Sequence, residues 1–277
     1  MAEACRICDG KLRSRWVVRS DRLTVARCSK CGVMMLDPMP SKKKVRAWYE
    51  TTGYYGGGSR SGYDYSYFER INVRYNDENS WPYSLLKRAA ILGGREIPGR
   101  LLDVGCGGGL FAACAKRIGW EAQGLDPNPA AVEAAARYGV PVRIATIEES
   151  GFDANTFDII YSNDVIEHVC DPIEAFREIY RLLAPGGVFI LSTPNGDRAL
   201  LRRNRWGGFQ SSLEHLWYFN ARSMKHLCGM VNLDVYAVEQ GDWNPGWLCQ
   251  HLFPLLGLGR TLTLIVGKAR ERTGRGT

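Results

Sequence analysis

Between residues 101 and 190 the chain alternates short apolar runs with amphipathic stretches: Leu101 to Val104, Leu110 to Ile118, Ala122 to Leu125, Ala130 to Tyr138. A short apolar run bounded by turn residues reads as a buried strand, and a longer amphipathic stretch reads as a helix lying on it. Their strict succession predicts a doubly wound α/β domain, a parallel sheet with helices on both faces. Ahead of it, Trp16-Val17-Val18 and Leu23 with Val25 predict two short strands, and Asp37-Pro38-Met39-Pro40 closes that unit near residue 40. Ser41 before Lys42 to Tyr49 predicts a capped helix, and Tyr65 to Asn76 and Ser84 to Leu92 predict two more. The chain thus divides into a small unit (1–40), a connecting segment (41–95) and a core (96–277).

Composition changes this picture little. At 277 residues, with 45% hydrophobic and 23% charged residues, the chain suits a soluble globular class with one large core and one appendage. Leu252 to Val266 is interrupted by Pro254, Gly257, Gly259 and Arg260, short of the ~20 apolar residues a membrane helix needs, and Met1 to Gly10 lacks the pattern of a signal peptide. No membrane association and a cytoplasmic location are the expectation. The net charge of +7 gathers at Lys42 to Lys44, Arg202 to Arg205 and Lys268 to Arg275; a phosphate-binding patch and an ordinary solvated surface both fit these clusters.

The N-terminal unit carries its own chemistry. Cys5-Arg-Ile-Cys8 and Cys28-Ser-Lys-Cys31 are two CxxC pairs with 19 residues between them, the spacing of paired zinc knuckles. Cys5, Cys8, Cys28 and Cys31 can close a tetrahedron around a structural zinc, with Gly10 and Gly32 giving the backbone freedom just after each pair. Disulfides and buried unligated cysteines compete with this reading, and a cytosolic setting disfavours disulfides. Cys106, Cys114, Cys170, Cys228 and Cys249 stand singly in apolar surroundings and read as core residues. The glycine- and tyrosine-rich stretch from Gly53 to Tyr65 suits either a lid or an ordinary loop whose rings pack on the core.

At the end of the first core strand stands Asp103-Val104-Gly105-Cys106-Gly107-Gly108-Gly109, directly before a helix. Ligands of doubly wound folds bind there, outside the carboxyl ends of the strands. The glycines let the backbone approach a ligand, and Asp103 can accept from an ammonium. Asp126 ends the second strand, 21 residues after Gly105, placed to take ribose hydroxyls. In a dinucleotide fingerprint the sixth position from Gly105 is glycine or alanine; here it is Leu110, which argues for a nucleoside ligand without pyrophosphate.

Leu102 to Gly109 resembles the first motif of the class I S-adenosylmethionine-dependent methyltransferases. Phe157 to Val169 resembles that family's fourth-strand motif, Leu182 to Ile190 its turn into the fifth strand, and residues 220–267 loosely its last helix and strands. The resemblance implies a mostly parallel seven-stranded sheet and S-adenosylmethionine as cofactor. Carried onto this sequence, it places Asp103, Gly105, Cys106 and Gly107 on the methionine end of the cofactor, Asp126 and Pro127 on the ribose side, Thr146 and Ile147 along the adenine, and Asn163 on the methionine moiety. The N-terminal zinc ribbon resembles a subgroup found with sugar and natural-product methyltransferases, although the chain has no room for the extra C-terminal domain of the zinc-containing sugar C-methyltransferases.

A methyl sulfonium is already activated, so alignment of the acceptor and one base can suffice. His168, just past the fourth strand, is the first candidate base, set against a role in capping the helix near Asp171; His215, in Glu214-His215-Leu216-Trp217, is the second, set against simple packing. His226 and His251 read as structural or exposed. Trp206, Trp217, Trp243 and Trp247 could line an acceptor pocket or only cap the core. These features point to methyl transfer to O, N or C of a small molecule, a sugar or natural-product intermediate. The alternatives are a ribosomal RNA methyltransferase with a zinc knuckle and a non-catalytic nucleoside-binding module. Ser162-Asn163-Asp164-Val165 lacks the proline-aromatic run that grips a flipped base, which makes a nucleic-acid partner the weaker expectation.

Overall fold

The computed structural model describes residues 4–51, 81–94, 98–209, 213–241 and 260–269. The tyrosine-rich segment, the helix expected at 65–76, Trp243, Trp247, Cys249 and His251 lie outside the described residues. The N-terminal unit is a three-stranded antiparallel arrangement of β1 (Leu12–Val18), β2 (Thr24–Cys28) and β3 (Met34–Leu36), followed by α1 (Lys42–Thr51). Ser41 caps α1 as expected, its Oγ accepting from the Lys44 amide at 3.3 Å.

The core begins with α2 (Trp81–Leu92) and β4 (Arg100–Val104), and continues through α3 (Leu110–Arg117), β5 (Glu121–Asp126), α4 (Pro129–Ala136), β6 (Val142–Ile144), β7 (Phe157–Asn163), α5 (Pro172–Leu182) and β8 (Leu183–Pro194). A short helix α6 (Arg198–Arg202), a two-residue strand β9 (Trp217–Tyr218), α7 (Ala221–Met230), β10 (Leu233–Gly241) and β11 (Thr261–Lys268) complete it. Seven strands form one sheet in the order β10-β11-β8-β7-β4-β5-β6, parallel except for β11, which runs antiparallel to both its neighbours.

Adjacent residues on the central strands point into different layers, as the two-residue period demands. Leu101, Ile159 and Ile190 face a cluster with Leu86 of α2 and Phe111 of α3, where Phe111 stacks on Tyr161 at 3.5 Å between ring centroids. Leu102, Ile160, Phe189 and Leu191 face the other side, against Phe176 and Ile179 of α5 and Leu227 of α7. Burial on both faces is why these strands read as continuous apolar runs.

That second cluster also contains Cys5, Val25, Val33, Met34 and Leu36, so one hydrophobic core runs from the N-terminal unit into the sheet domain. The join is a strand pairing: β9 extends the N-terminal sheet in the order β1-β2-β3-β9, with Met34 opposite Tyr218 and Met35 opposite Trp217. Trp206 and Trp217 are buried in this core, Trp206 edge-on to Phe209 and Tyr218 and Trp217 stacked on Phe219. Of the two readings the sequence left open for them, packing is the one observed.

Candidate active site and cysteine cluster

Every element of the expected cofactor site sits at the carboxyl ends of neighbouring parallel strands. At the end of β4 the chain turns through Gly105 (φ +70°), Gly107 (φ +49°) and Gly109 (φ +73°), all in the left-handed region that glycine tolerates. A β-carbon on Gly105 would stand 2.3 Å from Cγ2 of Val165, so the close approach of this turn to the segment after β7 also requires glycine. Asp126, at the end of β5, accepts from the Gly107 amide at 2.9 Å and the Asn128 amide at 2.8 Å. One carboxylate thus ties the glycine turn to the start of α4, across Pro127, where Asn128 is the N-cap and accepts from the Ala130 amide.

Asp103 is 3% exposed, and its Oδ2 accepts a long bond, 3.3 Å, from the Ala112 amide. Burial pushes its carboxyl up to about 8, with the charge of Asp126 adding to the shift. Such a group gains most from a neighbouring cation, as the ammonium of an amino-acid moiety would be. Cys106 is buried with its sulfur against Gly124, and burial raises its thiol. Thr146 and the buried Ile147 open a single 3-10 turn after β6. Asn163 ends β7, its amide donating to the Asp164 carboxylate at 2.9 Å while its Oδ1 is buried without a partner among the described residues. The glycine cradle, the buried Asp103 and the strand-end carboxylate of Asp126 fit a nucleoside cofactor bearing an amino acid.

The two candidate bases meet. His168 and His215 are edge to face, 4.9 Å between ring centroids, and one nitrogen of each ring lies within 4.8 Å of the other and of a Glu167 carboxylate oxygen. Nδ1 of His168 stands 2.9 Å from the Glu214 carbonyl and 3.2 Å from the Tyr49 hydroxyl; Nδ1 of His215 stands 3.1 Å from the Gly208 carbonyl. A carbonyl only accepts, so in both rings Nδ1 carries the hydrogen and Nε2 the lone pair. Burial lowers both imidazoles, His168 to about 3, with the charge of its histidine neighbour adding to the shift. Both rings are therefore neutral near pH 7.

His168 does not cap the next helix: Asp171 does, its Oδ1 accepting from the Ile173 and Glu174 amides. His226 lies half-buried in α7 beside Ala221, Arg222 and Lys225, around a shallow cavity of about 500 Å³. The sequence reading passed over Glu167, which is 1% exposed. Its Oε2 accepts from Thr193 Oγ1 at 2.9 Å, while its Oε1 has no partner among the described residues and lies 3.9 Å from His168 Nε2. Burial raises the Glu167 carboxyl well above the usual range, and Asp164 beside it is pushed up to about 6. The Glu167 carbonyl accepts from the Leu216 and Trp217 amides, which locks the His168 turn to the His215 segment. A polar residue beside a candidate base in the same strand-end motif was the one available signal.

The four ribbon cysteines also converge, with Cys5 Sγ 3.8 Å from Cys31 Sγ and Cys8 Sγ 3.4 Å from Cys28 Sγ. Four sulfurs at ~2.3 Å from a central zinc would be ~3.8 Å apart, so the cluster fits a tetrahedral metal. Cys28 Sγ accepts from the Lys30 and Cys31 amides, the support a thiolate needs. Gly10 is required here by space, since a β-carbon would lie 2.8 Å from Cys28 Sγ; the left-handed position after the first pair is Asp9 (φ 55°), whereas after the second it is Gly32 (φ 78°).

A family profile described as a methyltransferase domain matches residues 76–238, more than half of the chain. The chain belongs to this family. Its fold agrees: an S-adenosylmethionine-dependent methyltransferase from Mesorhizobium loti superposes with a TM-score of 0.54 at 19% identity, over 69% of this chain and 99% of that one. A second, from Clostridium acetobutylicum, gives 0.55 at 12% identity, over 74% and 99%. Among curated relatives, a ubiquinone biosynthesis O-methyltransferase of Caulobacter sp. (strain K31) is 38% identical over 103 residues, 35% of this chain and 41% of that protein. Another of that name from Alkalilimnicola ehrlichii is 40% identical over 114 residues, 39% and 46%. The chain spans less than half the length of these relatives. Among its described residues no helix is long and apolar enough to cross a membrane.

Proposed function

We propose that this methyltransferase O-methylates a small-molecule hydroxyl, with His168 as general base and His215 beside the acceptor. The observation that carries this reading is the pair of imidazoles that meet edge to face beside the strand-end site, each with Nδ1 tied to a main-chain carbonyl. Bound S-adenosylmethionine supplies an activated methyl group. His168 Nε2 would take the proton of the acceptor hydroxyl as its oxygen displaces the methyl from the cofactor's sulfur, which leaves as a neutral thioether, and Glu167 Oε1 stands 3.9 Å from that nitrogen.

Asp103, the Gly105 to Gly107 turn and Cys106 would hold the methionine end, Asp126 and Pro127 the ribose side, Thr146 and Ile147 the adenine, and Asn163 the sulfonium side. A structural zinc in the Cys5, Cys8, Cys28 and Cys31 cluster completes the assignment. Oxygen as the acceptor atom rests on the O-methyltransferase relatives. A sugar or natural-product acceptor rests on the cysteine ribbon. The test is transfer of labelled methyl to a panel of catechol, 3,4-dihydroxybenzoate and a nucleotide-linked sugar. The expected result is turnover on at least one hydroxyl, lowered ~100-fold or more in His168→Ala at nearly unchanged cofactor affinity. Normal turnover in His168→Ala together with lost turnover in His215→Ala would move the base role to His215.

A further inference from the structure

The N-terminal ribbon reaches the histidine pair through one buried side chain. Arg19 follows β1 in a tight turn closed by the Arg19 amide on the Leu23 carbonyl and the Arg22 amide on the Arg19 carbonyl. Although arginines are rarely fully buried, its side chain is 0% exposed. Its guanidinium is held as a fork by Asp21, with Nη2 2.6 Å and Nε 3.2 Å from the two carboxylate oxygens. Nη1 then donates to the Tyr218 hydroxyl at 2.6 Å, and that hydroxyl donates onward to the His215 carbonyl at 3.1 Å.

The hairpin therefore spans two centres. Leu12, which starts β1, pairs with Cys28 at one end, and Arg19 lies just past Val18, which pairs with Thr24 at the other. The cysteine cluster fixes one end of the hairpin, and the other end holds the strand that carries Tyr218, three residues beyond His215. Packing alone does not call for this arrangement, because a buried guanidinium needs partners of good geometry to offset its desolvation.

We propose that Arg19 is a positioning residue for the acceptor-side histidines, acting through Tyr218 on the main chain of His215. The proposal rests on the functional reading above only for its catalytic consequence; the hold on His215 stands on geometry. The charged and titratable groups facing His215 are Glu214 on its own segment, Tyr218 of β9, Arg19 from the ribbon, and Glu167 and His168 from the turn after β7. Of these, Arg19 disfavours the imidazolium and Glu214 favours it. With Arg19 neutralised, His215 takes up its proton at higher pH, and the segment carrying it loses an anchor.

The experiment is a histidine titration by NMR on the full, metal-loaded chain, in wild type and in Arg19→Met, Arg19→Lys and Tyr218→Phe. Arg19→Met is expected to move the His215 resonances and raise its titration midpoint, and Arg19→Lys, which keeps the charge but not the fork, to return it part of the way. Tyr218→Phe removes one hydroxyl and tests the relay with little demand on folding; it is expected to move the His215 resonances while Arg19 remains charged. Turnover on the best acceptor of the panel is expected to fall ~10-fold or more in Arg19→Met through misplacement of His215. A shifted His215 with unchanged turnover would leave the hold intact and overturn only the catalytic reading of the pair. If the His215 resonances and midpoint match wild type in a folded Arg19→Met, or the resonances match in Tyr218→Phe where Arg19→Met does not fold, the proposal fails.

Discussion

A carboxylate as deeply buried as Asp103 is costly to ionise, and this gives its role a thermodynamic signature. Its folded-state value of about 8 lies above the ordinary 3.8, so the folded chain keeps a proton that the unfolded chain releases. The stabilisation is complete at low pH and is lost as pH rises through 8. Asp103→Asn has no such loss. Its stability relative to wild type, measured by denaturant unfolding without cofactor, is therefore expected to grow with pH between 4 and 8, by on the order of 1 kcal/mol per unit. A pH-independent difference would contradict the buried, protonated state. Asp103, the glycine turn, Asp126 and the four cysteines were legible in the sequence because each belongs to a short motif with fixed spacing. Glu167, Tyr49 and Arg19 were not, since their partners are 26, 119 and 199 residues away along the chain.

Among the elements, the ribbon depends most on something besides its own strands. β1, β2 and β3 are 7, 5 and 3 residues long, and a sheet this small has little core of its own. The sulfur cluster and β9 supply what the strands lack. Freshly purified protein is expected to carry about one zinc per chain. Stripping it with a chelator, or Cys28→Ser, is expected to lower the melting temperature and to change the near-ultraviolet dichroism of the buried Trp217, because β9 is hydrogen-bonded to β3. Metal-free protein of unchanged melting temperature would remove zinc from the account. The hairpin strands themselves were readable from Trp16 to Val18 and from Val25 onward, but the fourth strand was not: two residues carry no period, and Trp217-Tyr218 becomes a strand only where β3 offers it an edge.

For the whole molecule, the deciding feature is the reversal of strand order between β4 and β7, where β4 leads outward to β5 and β6 and the chain then returns to β7. Ligands of doubly wound folds bind outside such a switch point, and Asp103, Asp126 and Asn163 lie on the strands beside it. A ligand bound only by the folded chain stabilises it by ~2.7 kcal/mol at 100 times its dissociation constant. S-adenosylhomocysteine is therefore expected to raise the melting temperature while NAD does not, and an equal rise with NAD would overturn the nucleoside reading of the glycine turn. The sequence by itself determined the layered α/β core, the glycine turn and the cysteine cluster, because apolar periodicity and local spacing are properties of neighbouring residues. Only the tertiary structure decided that the ribbon and the sheet domain share one hydrophobic core, and that His168 and His215 face each other beside Glu167. Those contacts close loops of 46 residues or more, and no periodic signal in a chain encodes which distant segments will bury their polar groups against each other.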